Sequence, residues 1–280
     1  MIIKKIKIYL LIVKYLISKT NSYSSNLLLR RIIVEIYEYG NKDTLKYCLV
    51  VFLKRIANYF ARKIKISLQI KSTNINILKV KQKNTVYEEH YSLSGQDLFV
   101  SYLIDNNSLK NHYVEVGAGW PIKINNTYLL EHTHKWHGLS IDFDQKMVED
   151  FNKVRKNECL FMDATKIDYT ELFISSLIPN EIDYLSLDID PAYQTLLVLA
   201  LMPFETYKFK IITFEHDSYR NGSLIKVVAR LLLRKYGYLC VYKNVNAIGF
   251  GNYEDWWIHP EYISEISARD AVRRVKNLIN

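Results

Sequence analysis

Acidic side chains end or adjoin several short apolar runs in this sequence, at positions where they could hold a ligand together. The four residues concerned are Glu115, Asp142, Asp163 and Asp188. If the runs are strands of a parallel sheet, their carboxyl ends meet at one edge, which is where such sheets bind ligands. The sequence therefore predicts a ligand site built from strand ends.

The turn after the first run combines two glycines with a nearby acid. Gly117 and Gly119 flank Ala118, and glycines let the backbone approach a ligand closely. A dinucleotide site would need a third glycine at position 122, where this chain has Ile122. Glu115 suits the cationic methionine end of S-adenosylmethionine (SAM), which carries an amine and a sulfonium and no phosphate. The turn thus favours SAM over a dinucleotide.

The predicted cofactor contacts divide by the part of SAM that they would bind. Asp142 would accept hydrogen bonds from the two ribose hydroxyls, and Asp163 would accept one from the adenine amino group. The full predicted set is Glu115, Gly117, Ala118, Gly119, Asp142, Phe143, Asp163, Ala164 and Asp188.

A hydroxyl that receives a methyl group must lose its proton, so a base is expected close to the methyl donor. His216 is the predicted base, because the ordinary histidine pKa of about 6.5 leaves the ring partly unprotonated near neutrality. Asp188 and Glu215 complete the predicted catalytic set. Alternatively, four carboxylates could hold a divalent metal that polarises the hydroxyl, and these are Asp188, Asp190, Glu215 and Asp217.

Two other groups of side chains have both a functional and a structural interpretation. His132, His134 and His137 could bind a metal, but the surrounding sequence indicates that a helix ends there, and we interpret them as surface histidines. Trp256 and Trp257 either form a platform for a sugar ring or nucleobase, or close the core beside the last strand.

Apolar runs and helical patterns alternate from residue 113 onward, which predicts a Rossmann-like, doubly wound α/β sheet of seven strands. The last two runs are separated only by residues 243–246, which predicts a closing antiparallel hairpin that also favours SAM. The predicted strands are 113–116, 139–141, 160–162, 184–189, 211–214, 239–242 and 247–250, and the predicted helices are 146–155, 169–177, 193–201 and 223–236.

Five segments together resemble the FkbM-type methyltransferases in order and spacing. They are SGQDLFV at 94–100, VEVGAGWP at 114–121, NTYLLE at 126–131, WHGLSID at 136–142 and DYLSLD at 183–188. The resemblance covers roughly residues 91–260, including 209–219 and 253–257. It implies a class I SAM-dependent methyltransferase fold and O-methylation of a sugar or polyketide hydroxyl. Pro121 departs from the family's commonest glycine-rich loop.

The basic charge of the chain is concentrated in its first third. Up to Gly95 there are 18 Lys and Arg against 5 Asp and Glu, whereas the remainder has 20 against 24. We predict a basic, mainly helical region at 1–85 and the methyltransferase domain at 86–280, with an amphipathic helix at 1–17 that can lie on a membrane. Cys48, Cys159 and Cys240 show no paired spacing, which favours the cytoplasm.

Three functions fit these patterns. The first is methylation of a hydroxyl on a sugar, a glycan or a small metabolite. The second is methylation of RNA or DNA, with the basic N-terminal region binding phosphates. Asp190-Pro191-Ala192-Tyr193 superficially resembles the motif of base amino-methylating enzymes, but it lies two residues too late and lacks the second proline. The third is a non-catalytic protein that keeps the fold as a binding or membrane-associated module.

Overall fold

The computed structural model describes residues 90–104, 109–247 and 251–279. The predicted basic region at 1–85, its amphipathic helix and Cys48 lie outside these residues. The helices are α1 (Gln96–Ile104), α2 (Tyr128–His132), α3 (Gln145–Val154), α4 (Tyr169–Ser175), α5 (Ala192–Leu201), α6 (Ser218–Asn221), α7 (Leu224–Lys235) and α8 (Glu265–Ile279). The strands are β1 (His112–Val116), β2 (His137–Asp142), β3 (Cys159–Phe161), β4 (Glu181–Leu187), β5 (Lys208–Glu215), β6 (Leu239–Ala247) and β7 (Gly251–Ile258).

The seven strands form one mixed sheet in the order β3-β2-β1-β4-β5-β7-β6. The first five strands are parallel, and β7 runs antiparallel to both β5 and β6. This arrangement confirms the predicted Rossmann-like, doubly wound sheet of seven strands. Because the order reverses at β1 and β4, the carboxyl ends of these two strands border the crevice where such sheets bind ligands.

The strands are short apolar runs because both faces of the sheet are covered. On one face, Tyr113, Tyr184 and Trp256 belong to a core that also includes Phe99 of α1 and residues of α2 and α8. The rings of Phe99 and Trp256 stack with their centroids 4.7 Å apart. Helices α3, α5 and α7 contact the sheet outside this core. The predicted helices at 146–155, 169–177, 193–201 and 223–236 correspond to α3, α4, α5 and α7.

The last strand differs from the predicted one. We expected it at 247–250, after a turn at 243–246, but β6 continues through those polar residues and the last strand is Gly251–Ile258. The strand pairing is irregular there, and Asn244 has a positive φ of 55°. Its backbone N–H donates to Asp255 Oδ1 over 2.7 Å, so a polar segment stays in the sheet instead of turning back.

Trp256 and Trp257 lie in β7 and are fully buried, so they close the core and form no ligand platform. His132 and His137 are exposed on the surface. Across residues 90–104, 109–247 and 251–279, the structure has no helix of the length and apolar character needed to cross a bilayer.

Candidate active site

Acidic side chains line the carboxyl edge of the sheet on one of its faces. The strand register pairs Ser140 with Glu115, Glu115 with Ser186, and Ser186 with Thr213. Residues two positions further along each strand lie on the same face, one step nearer the edge. That next row consists of Asp142, Gly117, Asp188 and Glu215, and it continues to Glu254, the direct partner of Glu215 in β7. We call Asp142, Asp188, Glu215 and Glu254 the acidic row.

The glycine turn after β1 packs tightly against the sheet at one glycine and is open at the other. Gly117 has a φ of +86°, and a Cβ there would lie only 1.7 Å from the carbonyl oxygen of Asp188. Gly119 has a φ of +58°, and a Cβ there would meet no heavy atom within 4 Å. Ala118, between them, packs in a small core with Val148 and Phe151. The turn therefore leaves space at Gly119, where the sequence predicts the cofactor.

Asp142 stands at the tip of β2 beside this space. Its Oδ2 accepts a hydrogen bond from the Gly119 N–H over 2.8 Å, and its Oδ1 accepts one from the Asp144 N–H over 2.8 Å. A carboxylate has about four acceptor positions, so each oxygen can still accept a hydrogen bond from a ligand hydroxyl. The turn and the carboxylate thus fix each other in a position suited to a ribose.

Next to Asp142, two large aromatic side chains are exposed. The rings of Phe143 and Phe161 stack at a centroid distance of 5.6 Å with 9° between their planes. Phe143 is 67% exposed and Phe161 is 51% exposed. Exposed flat apolar surfaces at a concave site commonly mark a ligand contact. Phe143 was predicted, whereas Phe161 was missed because it lies inside an apolar run that looks like an ordinary strand.

Asp163 and Ala164 lie at the start of a short 3₁₀ turn after β3. Asp163 Oδ1 accepts hydrogen bonds from the N–H and hydroxyl of Thr165, and Oδ2 lies 2.7 Å from Lys166 Nζ. Burial raises the pKa of Asp163, but the hydrogen bonds from Lys166 and Thr165 outweigh it and hold this pKa below its ordinary value. Ala164 is buried beneath the turn. Asp163 is thus ionised, and its predicted adenine contact stays a prediction.

Glu115 is buried inside the sheet instead of being presented at its edge. Its Oε2 lies within 2.9 Å of Ser140 Oγ, 3.0 Å of Thr127 Oγ1 and 3.5 Å of Asn125 Nδ2, all of which donate to it. Burial raises the pKa of Glu115 to about 7, although the charge of Arg155 and these hydrogen bonds oppose the shift. In this structure Glu115 is held by side chains of β2 and of the loop after β1, and its predicted contact with the methionine amine stays a prediction.

Arg155 holds the same region from the end of α3. Its side chain is buried and forms an ion pair with Glu131, with 2.9 Å between Nε and Oε2. The guanidinium also donates to the Pro121 carbonyl, Asn125 Oδ1 and Thr127 Oγ1. One arginine thereby ties the loop after β1 to α2. The sequence gives no signal for this role, because Arg155 looks like an ordinary basic residue at a helix end.

Three carboxyl groups lie close together at the ends of β4 and β5. The Glu215 carboxyl lies close enough to Asp188 and Asp217 to affect the pKa of both. Burial, followed by the charges of Asp188 and Asp217 among others, raises the pKa of Glu215 far above its ordinary value. Burial also raises the pKa of Asp188. Glu215 is therefore the member of this group that most favours the protonated form, and its single O–H can donate to one neighbouring carboxyl at a time.

The alternative metal site was predicted at Asp188, Asp190, Glu215 and Asp217. In the part of the chain that the structure describes, no three His, Cys, Asp or Glu side chains are grouped so that they could hold a metal ion.

His216 is not positioned as the predicted base. Its side chain is fully buried, its Nδ1 accepts a hydrogen bond from the Ser218 N–H over 3.1 Å, and its Nε2 faces Asp255 Oδ1 at 3.5 Å. The ring proton must then be on Nε2, so neither nitrogen has a lone pair free for a substrate. Adjacent residues at a strand end point in opposite directions, which could have indicated that His216 leaves the face of Glu215.

Comparison with known proteins gives similarities in fold only. No protein-family model matches the chain, and no curated protein sequence matches it. Among solved structures, an O-methyltransferase from Bacillus cereus in complex with S-adenosylhomocysteine (SAH) is 10% identical, with a TM-score of 0.44 over 61% of this chain and 83% of that one. An rRNA methylase from Streptococcus thermophilus is 11% identical, with a TM-score of 0.39 over 59% and 93%. Fibrillarin from Aeropyrum pernix with bound SAM is 12% identical, with a TM-score of 0.36 over 63% and 85%.

Proposed function

We propose that this chain is a SAM-dependent methyltransferase that methylates a hydroxyl on a sugar, a glycan or a small metabolite, like the FkbM-type enzymes it resembles. The observation that carries the proposal is the geometry of the turn after β1. Gly119 leaves open space and donates its N–H to Asp142 at the tip of β2. This is the position at which a doubly wound sheet holds the ribose of its cofactor.

The residues around this turn suit the separate parts of SAM. Asp142 has acceptor capacity left for the ribose hydroxyls, and the Phe143–Phe161 pair offers a flat apolar surface beside it for the adenine. The acidic row continues past Gly117 to Asp188, where negative charge favours a cationic amine and sulfonium. Bound SAM supplies an activated methyl group, so the protein has chiefly to position the acceptor.

Asp188 is the best placed side chain to take the proton of the acceptor hydroxyl. With SAM bound, its methyl group would pass from sulfur to the acceptor oxygen and SAH would leave, while the Asp188 carboxylate would take the hydroxyl proton. Burial raises the pKa of Asp188, which makes its carboxylate a stronger base than an exposed aspartate. A protonated Glu215 can donate a hydrogen bond to Asp188 and so hold its orientation. His216 contributes by fixing the turn after β5 through Ser218.

The charge of the site supports a neutral acceptor over a nucleic acid. Asp190 lies near Asp188 and Asp217, so the carboxyl ends of β4 and β5 form an acidic rim. Phosphates would be repelled there. A hydroxyl-rich molecule, in contrast, finds several hydrogen-bond acceptors.

Two measurements on the full chain test this function. Calorimetry should detect SAM binding, and an absence of binding would favour the non-catalytic module. Transfer of a radiolabelled methyl group should then occur to members of a panel of sugars and glycans. Transfer to RNA or DNA alone would overturn the proposed acceptor class.

A further inference from the structure

Every exposed phenylalanine, tyrosine or tryptophan side chain of the described residues lies at the carboxyl edge of the parallel strands. One such side chain stands at the end of each parallel strand or within six residues after it. In the sheet order β3-β2-β1-β4-β5, they are Phe161, Phe143, Trp120, Tyr193 and Tyr219. Large aromatic side chains that stay exposed together on one edge of a domain mark a binding surface.

The five aromatic side chains divide into two groups along the edge. Phe143 and Phe161 stack on each other beside Asp142, where the adenine of SAM is proposed to lie. Trp120, Tyr193 and Tyr219 follow β1, β4 and β5, on the other side of Asp142 in the sheet order. We call these three residues the aromatic surface. It borders the acidic row at the end of the site that is left for the acceptor.

Tyr219 is held in place at the ends of β4 and β5. Gly251 packs against it, since a Cβ at this glycine would lie only 3.0 Å from Tyr219 Cβ. The Arg220 guanidinium lies 5.1 Å from the centroid of the tyrosine ring and 3.7 Å from Asp217 Oδ2. Burial raises the pKa of Tyr219, and the charges of Asp217 and Asp190 add to this shift, so the phenol lies near both acids. Tyr219 is nevertheless 39% exposed, so it presents an anchored ring to a ligand.

Aromatic rings next to carboxylates match the two surfaces of a sugar. A sugar ring has an apolar face of C–H groups, which an aromatic ring can cover, and an edge of hydroxyls, which carboxylates can accept hydrogen bonds from. Asp190, which is exposed, lies between the strand end of β4 and Tyr193. A nucleobase would also stack on these rings, but its phosphates would be repelled by the acids.

The aromatic surface is wider than one sugar ring. The strands β1, β4 and β5 are neighbours in the sheet, and two strand spacings span about 10 Å. We propose that Trp120, Tyr193 and Tyr219 bind the acceptor, and that this acceptor is an oligosaccharide of at least two rings that stack on them. The inference rests on the proposed function, because it selects the acceptor among the hydroxyl compounds considered for the same site.

Quenching of tryptophan fluorescence by acrylamide tests the inference without needing methyl transfer. Of the four tryptophans in the chain, Trp120 is 56% exposed and the other three are at most 1% exposed, so the quenching reports on Trp120. The probes for the full chain, with and without SAH, are cellotriose, maltotriose, chitotriose and a uridine oligonucleotide. At least one trisaccharide should reduce the quenching by about half or more, because a bound ligand shields the ring. In Trp120→Phe the same trisaccharide should change nothing.

Substitutions of the tyrosines test the stacking itself. Tyr219→Ala and Tyr193→Ala should each weaken binding of the protecting trisaccharide by about tenfold, the effect of losing one stacked ring, and leave SAM affinity in calorimetry unchanged. Tyr219→Phe keeps the ring and should bind like the unaltered protein. Tyr262→Ala is the matched control, because this partly exposed tyrosine follows β7 at the opposite edge of the sheet.

The outcomes separate this inference from the proposed function. If SAM binds but no trisaccharide protects Trp120, the inference is wrong and methyl transfer still stands. Protection by the uridine oligonucleotide alone would also overturn it and favour a nucleic-acid acceptor. Protection by a trisaccharide in a chain that binds no SAM would refute the proposed function and leave the aromatic surface as a carbohydrate site. Because the unaltered protein and Tyr219→Phe already decide the main question, the test survives if an alanine variant fails to fold.

Discussion

Gly117 and Gly119 adopt left-handed conformations in the same turn for different reasons. At Gly117 a side chain has no room, because its Cβ would collide with the Asp188 carbonyl oxygen at 1.7 Å. We expect Gly117→Ala to lower the free energy of unfolding by about 2 kcal/mol or more, from backbone strain and this clash together. Urea denaturation checks this, and unchanged stability would contradict the geometry of the turn.

Gly119 offers a sharper test of the cofactor position. A Cβ at Gly119 meets nothing, and the same holds at Gly222 between α6 and α7, whose φ is +73°. Gly119→Ala should lower the free energy of unfolding by about 1 kcal/mol because of its positive φ. Gly222→Ala should lower it by at least as much, because Gly222 has φ +73° and ψ −174°, a region that essentially only glycine adopts. Only Gly119→Ala should weaken SAM binding, by tenfold or more, in calorimetry. Equal affinities of the two variants would show that the open space at Gly119 is not the cofactor site.

We predict that Asp142 contributes more than any other single residue to binding the ribose of SAM. Asp142→Asn removes the charge and turns one acceptor into a donor facing the Gly119 N–H, which now donates to Oδ2 over 2.8 Å. Hydrogen bonds to a charged group contribute about 1.5–3 kcal/mol, so SAM affinity should fall by roughly 10- to 100-fold. Asp150→Asn on α3, where Asp150 pairs only with nearby lysines, should leave this affinity unchanged.

The residues that could be predicted from the sequence are those whose position follows from a strand end. Asp142, Asp188 and Glu215 could be placed because the carboxyl ends of parallel strands meet at one edge. The orientation of Glu115 and His216 could not, since it depends on which donors surround each side chain after folding. Gln96 and Glu254 are 158 positions apart in sequence, and nothing local to either indicates that they meet.

At the level of elements, α3 has a second function besides covering the sheet. Arg155, directly after it, holds the loop after β1 and Glu131 of α2. Arg155→Met leaves the buried Glu131 carboxylate without its partner, which should lower the free energy of unfolding by about 3–5 kcal/mol. Arg269→Met is the control, because the Arg269–Glu265 pair of α8 is exposed and contributes little. Urea denaturation of both variants should show a loss of stability only for the first.

The helices and strands whose apolar residues repeat at one clear spacing could be predicted from the sequence. Those whose position depends on long-range contacts could not. The four predicted helices have apolar residues at helical spacing, and the first six strands contain compact apolar runs. β7 begins with polar residues and was predicted too early, because its acidic Glu254 and Asp255 do not look like strand interior until Gln96 and Arg230 contact them. Helices α1 and α8 were missed, although they pack on each other to cover one face of the sheet.

For the molecule as a whole, the buried acids set the dependence of stability on pH. The pKa of Glu115 is raised to about 7 and that of Glu254 to about 8, both from an ordinary value of 4.5, chiefly by burial. Between pH 5 and 8 the folded protein thus binds more protons at these two carboxyls than the unfolded chain does. Their contribution to the free energy of unfolding is therefore largest below pH 4.5 and decreases as the pH rises. Asp255 has the opposite effect, because its pKa is lowered to about 2. Its ionised carboxylate stabilises the folded protein, and this stabilisation is lost only as the pH falls below 4.

We therefore expect the free energy of unfolding to decrease by a few kcal/mol between pH 5 and pH 9. Tryptophan fluorescence in urea measures it for this domain, because all four tryptophans, at 120, 136, 256 and 257, lie in the described residues. A stability that rises over this range would contradict the burial of the two carboxyls. Saturating SAM should reduce the slope, because a cationic ligand favours the ionised acids nearby.

The last strand of the chain, β7, enters the sheet between two strands that are made before it. While the protein is being translated, β5 has a partner on one side only until residues 251–258 have left the ribosome. An unpaired strand edge readily pairs with the wrong chain. During the synthesis of about forty residues, the nascent protein thus has an unpaired edge at β5. This is the stage at which molecular chaperones would be most needed to protect that edge.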